Sequence, residues 1–419
     1  MVGTMWKATV LVAVFVFSPG GDGLFHSLYK KARVSVPHKG DVGEPLFLTP
    51  YIEAGKFEEG KRKSMVPPFP GSNVESYAGY LTVNETYNSN LFFWFFPAQV
   101  GTGFSFTDDP RGYAVNEDDV AQNLYSALVQ FFLLFPEYKE NDFYATGESY
   151  AGKYIPALAH YIHTFGPMMT TKINLKGIAL GDAYFDPESI IGGYAAFLYQ
   201  VGLLDEKQRK YFQKQCEDCV KYIREKRWRQ ASEVLDKLLD GDLTNNPSYF
   251  QNITGCPSYY SILQCKEPED QNYYGKFLSL PQVRQAIHVG NRTFSDGSEV
   301  EKYMREDTVK SVKLWLAELM NNYKVLIYNG QLDIIVAASL TERSLMAMKW
   351  KGSQKYKQAE RKVWKVFKSD NEVAGYVRQV DDFYQVIVRG GGHILPYDQP
   401  LRSFDMINRF IFERGWDPY

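Results

Sequence analysis

The stretch that most constrains what this chain can fold into is Gly147-Glu148-Ser149-Tyr150-Ala151-Gly152, preceded by Asp142-Phe143-Tyr144-Ala145-Thr146. A β-prone aromatic run ends in a glycine, a serine follows two residues later, and small residues then open an apolar segment. Residues of these types make a sharp strand–turn–helix, with the serine on the turn and its hydroxyl offered to a base. The fifth position of the general pattern is Ala151 in place of glycine, and alanine is still small enough for helix and strand to approach closely. A serine hydroxyl is a poor nucleophile until a base accepts its proton, so the stretch calls for a histidine and a carboxylate elsewhere.

Two later turns supply them. The apolar run Lys324-Val325-Leu326-Ile327-Tyr328 ends in Asn329-Gly330-Gln331-Leu332-Asp333, and Gln385-Val386-Ile387-Val388-Arg389 ends in Gly390-Gly391-Gly392-His393. Ser149, Asp333 and His393 therefore each follow a strand, in the order nucleophile, acid, base. That chain order belongs to the α/β-hydrolase fold, in which three loops converge at the carboxyl ends of parallel strands. Asp333 could equally cap a helix, and Asp182, at the end of another apolar strand, is its rival. His160 and His163 fall on the helix predicted after the elbow and read as surface or packing residues. His26, His38 and His288 have no supporting context. No His/Cys/carboxylate group has metal-ligand spacing, so neither metal nor cofactor is expected.

Strands alternating with helices predict an α/β architecture, a mostly parallel sheet covered by helices. With 419 residues, 45% of them hydrophobic, the chain can bury a large core. Residues 76–83 and 90–96 read as a hairpin. Asn116 caps a predicted helix with Glu117, Asp118 and Asp119 in its first turn; Val120, Leu124, Leu128, Phe131, Phe132 and Phe135 recur at helical spacing up to Pro136. From about 186 to 305 the chain becomes charged and helical, an insertion placed to cap the site. All four cysteines lie there: Cys216, Cys219, Cys256 and Cys265. Their spacing suits two structural disulfides better than zinc or a redox pair, with connectivity open.

The N-terminal residues 1–23 carry a lysine, a short apolar run and then Pro19, Gly20, Gly21 and Gly23. This reads as a secretory signal peptide, leaving 24–419 as the folded domain. The apolar run is shorter than the roughly 20 residues of a membrane span. Sequons at Asn84, Asn252 and Asn291 agree with a glycoprotein of the secretory pathway. The net charge of -2 points to no nucleic-acid or basic membrane-surface role.

At this point the residues carry a resemblance. Gly147-Glu148-Ser149-Tyr150-Ala151-Gly152-Lys153-Tyr154-Ile155-Pro156, Gly101-Thr102-Gly103-Phe104-Ser105, Ile327-Tyr328-Asn329-Gly330-x-x-Asp333 and Gly391-Gly392-His393-x-x-Pro396-x-Asp398-Gln399-Pro400 are similar to blocks of the serine carboxypeptidase family. The resemblance covers nearly the whole chain after residue 23. It implies release of C-terminal residues from peptides or proteins through an acyl-enzyme, in acidic surroundings such as a lysosomal or endosomal lumen, or after secretion. It implies that the amide of Tyr150 is one oxyanion donor and that Glu148 binds the substrate's terminal carboxylate. The family also carries a Trp-x-x-Gly-Gly-Pro-Gly loop that supplies the second oxyanion donor, and here Gln99 runs directly into Val100. A few dozen residues, strand material included, are missing by that comparison. The alternative reading is thus a catalytically impaired isoform or non-catalytic glycoprotein, and a further one is an esterase or acyltransferase on the same fold.

Overall fold

The computed structural model describes residues 11–15, 34–37, 39–70, 75–94, 102–241 and 246–419. Most of 1–23, His26, His38 and the Gln99–Val100 junction lie outside the described residues. In chain order the described strands are β1 (Leu11–Phe15), β2 (Met65–Val66), β3 (Ser76–Asn84), β4 (Ser89–Trp94), β5 (Thr102–Gly103) and β6 (Phe143–Glu148). They continue with β7 (Leu175–Gly181), β8 (Ser295–Asp296), β9 (Lys324–Gly330), β10 (Lys362–Trp364), β11 (Gly375–Val380) and β12 (Phe383–Val388).

Seven strands form the main sheet, in the order β1-β6-β7-β9-β12-β11-β10. From β1 to β12 the neighbours are parallel, while β12, β11 and β10 pair antiparallel at one edge. The central strands are apolar on both faces because helices cover both sides. All six residues of β6 are buried, as are six of the seven in β9. One covering helix, Glu117–Leu134, begins where Asn116 was expected to cap it: the Asn116 side chain accepts from the Asp119 N–H at 2.9 Å. It buries Val120, Leu124, Leu128, Phe131 and Phe132, each contributing about 1.5–3 kcal/mol. The elbow helix, Ala151–Phe165, lies beside it.

The expected hairpin is present as β3 and β4, but it belongs to a separate three-stranded sheet with β2. The free edge of β6 is taken instead by β1, in register from Leu11 opposite Phe143 to Phe15 opposite Gly147. This strand lies inside the segment expected to be a leader. An open strand edge presents unpaired N–H and C=O groups, and a short β-prone apolar run satisfies them.

The block between β7 and β9 is helical, as expected. Its helix Glu206–Arg224 starts at Asp205 with a reciprocal capping box to Gln208, and Trp228–Leu235 and Tyr249–Thr254 follow. It reaches the site loops: Ile262 donates its N–H to the Leu332 carbonyl at 2.8 Å. The cysteines differ from the two-bridge expectation. Cys256 and Cys265 are bonded, whereas Cys216 and Cys219 are buried free thiols. Three residues apart on one helix, their Cβ atoms stand about 5–6 Å apart, beyond the roughly 3.8 Å of a disulfide. They pack instead as small apolar side chains beside Phe212 and Ile223, and burial pushes the Cys219 thiol up to about 12.

Candidate active site

Ser149 sits directly after β6 with φ of 64°, the left-handed conformation that a serine rarely adopts and that costs about 1–3 kcal/mol. Three backbone hydrogen bonds hold it there. Its N–H donates to the Gly181 carbonyl at 2.8 Å, and its own carbonyl accepts from Gly152 at 2.9 Å and Tyr184 at 3.0 Å. The last bond requires the chain after β7 to lie against the start of the elbow helix. A Cβ on Gly152 would stand 2.5 Å from the Tyr184 nitrogen, so glycine is needed one residue beyond the place where the general pattern has it.

Asp333 and His393 arrive from the ends of β9 and β12. Both are fully buried, and Ser149 nearly so. The two carboxylate oxygens of Asp333 accept from the N–H groups of Ile335 at 3.0 Å and Val336 at 3.1 Å. Oδ2 also lies 3.0 Å from His393 Nδ1, and His393 Nε2 lies 2.8 Å from Ser149 Oγ. With an acceptor-only carboxylate at Nδ1, that nitrogen carries the proton, and Nε2 is left to accept from the serine hydroxyl. The histidine loop is fixed from the insertion side, where the His393 N–H donates to the Tyr260 carbonyl at 3.0 Å. It is also closed on itself by Asp398, which accepts from Gly392 N–H at 2.6 Å and from the Tyr260 hydroxyl at 2.9 Å.

Glu148, the last residue of β6, lies beneath the same loops. Its Oε1 accepts from the Leu395 N–H at 2.8 Å and its Oε2 from the Tyr328 hydroxyl at 3.0 Å. Burial raises its carboxyl from 4.5 to about 7, outweighing those donors and the nearby His393. Asp182, the rival acid, is buried at the end of β7 and comes to the same place; burial, then the charges of Asp333 and Glu148, push its carboxyl well above the usual range.

The structure thus gathers Ser149, Asp333, His393 and Glu148, with Tyr150 at the N-terminal end of the elbow helix. It leaves the other described histidines apart. His160 stacks on Trp315 and meets Glu318, His163 bonds the Tyr323 hydroxyl, and His288 lies against the Met65 carbonyl. Among the described residues, no cluster of His, Cys, Asp or Glu could hold a metal. Sequence reasoning missed Tyr328, Asp398 and Tyr260 as groups that position the site. It also missed the buried pair behind the elbow, where Lys153 Nζ meets an Asp307 carboxylate oxygen at 2.7 Å.

A serine, an aspartate and a histidine, in that chain order at the ends of the parallel strands β6, β9 and β12, fit the α/β-hydrolase class. The family model of serine carboxypeptidases (Peptidase_S10) matches residues 98–413, and the chain belongs to that family. The "Probable serine carboxypeptidase CPVL" of Homo sapiens is 65% identical, with both chains covered in full. The "Vitellogenic carboxypeptidase" of Aedes aegypti is 37% identical over 96% of this chain and 97% of that protein. The crystal structure of Kex1(delta)p, a prohormone-processing carboxypeptidase from Saccharomyces cerevisiae, shares the fold. Its TM-score is 0.66 at 18% identity, covering 96% of this chain and 83% of that one. The alignment with the Homo sapiens protein spans 478 positions, 59 more than the 419 residues here. Both chains are covered end to end, so the difference is internal.

Proposed function

We propose that Ser149 is the nucleophile, His393 the general base and acid, and Asp333 the group that holds the imidazole, in a carboxypeptidase reaction on free peptide C-termini. The unbroken chain of hydrogen bonds from Asp333 through His393 to Ser149 Oγ carries this reading. Oγ attacks the scissile carbonyl carbon while its proton passes to Nε2. The tetrahedral oxyanion forms against the Tyr150 amide at the helix N-terminus, where backbone donors and the dipole favour negative charge. As the C–N bond breaks, Nε2 returns the proton to the departing amine, and water attacks the acyl-enzyme by the same route. Glu148, protonated below about pH 7, donates to the terminal carboxylate of the substrate, because two carboxyl groups share a hydrogen bond only when one carries a proton.

One observation favours a second reading, reduced turnover. The 59 positions without counterpart match in scale the loop and strand expected between Gln99 and Val100, and the family match itself begins at residue 98. The separation of the β3–β4 hairpin from the main sheet agrees with a missing intervening strand. Loss of one oxyanion donor costs about 10²–10³ in turnover. Fluorophosphonate labelling separates the readings: a reactive Ser149 labels even when turnover is low, and folded protein that is not labelled at all sinks the nucleophile assignment.

Residues 1–23 are proposed as a secretory leader, 24–419 as the hydrolase domain with its insertion at about 186–305, and the lumen or exterior as the site of action. The asparagines of the second and third sequons, Asn252 and Asn291, are exposed, and Asn84 is half-buried at the end of β3, which supports glycan attachment. No described helix is long and apolar enough to cross a membrane. N-terminal sequencing of secreted protein tests the leader, with a chain starting near residue 24 expected and one starting at Met1 contradicting it.

A further inference from the structure

We propose that Asp182 is a positioning residue of the triad, a carboxylic acid that donates a hydrogen bond to Asp333 and so holds the Asp333 carboxylate against His393. The inference rests on the triad reading above and adds a fourth member to it.

The backbone of Asp182 is locked in place. Its φ is 40°, a left-handed conformation, and its N–H donates to the Tyr328 carbonyl of β9 at 2.8 Å. Its side chain is fully buried and reaches across to the end of β9, the strand that delivers Asp333 three residues later. There Oδ1 accepts from the Gly330 N–H at 2.9 Å and lies 3.3 Å from the Asn329 amide nitrogen. The Asp182 and Asp333 side chains lie close enough for one carboxyl to hydrogen-bond the other.

Two carboxyl groups can make that bond only if one of them is protonated. The surroundings decide which. Asp333 already accepts from two backbone N–H groups and lies against His393 Nδ1, so its oxygens are engaged as acceptors. Asp182 faces Asp333 from the acid loop, Glu148 from the elbow and Tyr328 from β9, with His393 beyond Asp333; the charges that act most strongly on it are negative. Burial and these charges hold its carboxyl well above the usual range, so the proton belongs to Asp182. In that form it donates to Asp333 and still accepts from Gly330. Ionised, it would place a second negative charge beside the triad acid and push Asp333 out of line with Nδ1.

The prediction separates charge from shape. Asn keeps a neutral donor and an acceptor at this position, whereas Ala removes both. The readout is the rate of fluorophosphonate labelling of Ser149 from pH 5 to 9, since the probe has no carboxylate and does not depend on Glu148. Asp182→Asn should label within about threefold of wild type. Asp182→Ala should label about 10–100-fold more slowly, the loss expected for a hydrogen bond to a charged group. Thermal unfolding of both variants checks that they are folded. The proposal is overturned if Asn is as slow as Ala, or if folded Ala labels like wild type. Wild-type protein that does not label at all sinks the triad reading, and this proposal with it.

Discussion

Replacing Glu148 by Gln tests how the site uses a buried acid. The carboxyl accepts from the Leu395 N–H and the Tyr328 hydroxyl, and glutamine keeps the shape, one acceptor and a neutral donor. A rise from 4.5 to about 7 means that the folded protein retains a proton that the unfolded chain has released between those values. The sign follows: the group stabilises the fold fully below pH 4.5 relative to higher pH, and that stability is lost as pH rises through about 7. The total is roughly 3 kcal/mol. Glu148→Gln removes this dependence, so the stability difference between variant and wild type should move by that amount in favour of glutamine between pH 4 and pH 8. Urea unfolding across this range measures it. Activity should follow the same proton. With a pKa near 7 only about a tenth of the wild-type carboxyl is protonated at pH 8, so kcat/KM for a blocked dipeptide should fall about tenfold from pH 5 to pH 8. The fall should lie mainly in KM and be absent in the glutamine variant. A wild-type profile flat from pH 4 to 8, or a glutamine variant that keeps the fall, would refute the reasoning.

Two further perturbations probe the scaffold behind the elbow. Gly152→Ala sets a methyl group 2.5 Å from the Tyr184 nitrogen and 2.8 Å from the Ala183 carbonyl carbon, both backbone atoms that cannot yield cheaply. It should cost about 1–3 kcal/mol and slow labelling of Ser149, and an unchanged melting temperature would contradict this. Lys153→Met removes a fully buried cation from the Asp307 carboxylate at 2.7 Å and from Glu117 at 3.8 Å. Leaving those acids buried without it should cost about 3–5 kcal/mol in urea unfolding, and a loss below about 1 kcal/mol would argue against a structural ion cluster.

Ser149, Asp333 and His393 were legible as candidates because each follows an apolar strand, and glycines precede them. The helix at Asn116 was legible because its cap and first-turn acids precede an apolar face. What escaped depends on contacts across the chain. The choice between Asp333 and Asp182 was open in sequence because both end strands, and the fold brings both carboxyls together. Tyr328 and the Leu395 amide become partners of Glu148 only once β6, β9 and the histidine loop converge. The strand β11, Gly375-Tyr376-Val377-Arg378-Gln379-Val380, gave no clear apolar run because exposed and half-buried positions alternate with buried ones. Cys216 and Cys219 could be counted but not paired, since their shared helix face decides the matter. For Leu11–Phe15 a buried N-terminal strand was the less favoured reading beside a leader, because the composition suits both.

As proposed, Ser149 opens peptide bonds next to a free C-terminus. The most direct measurement follows release of the terminal amino acid from a blocked dipeptide at pH 5, in parallel with its C-terminal amide. Wild type and Ser149→Ala are compared. Release is expected from the free acid, little from the amide, and none above background in the alanine variant. Release that survives Ser149→Ala, or equal cleavage of acid and amide, would contradict it.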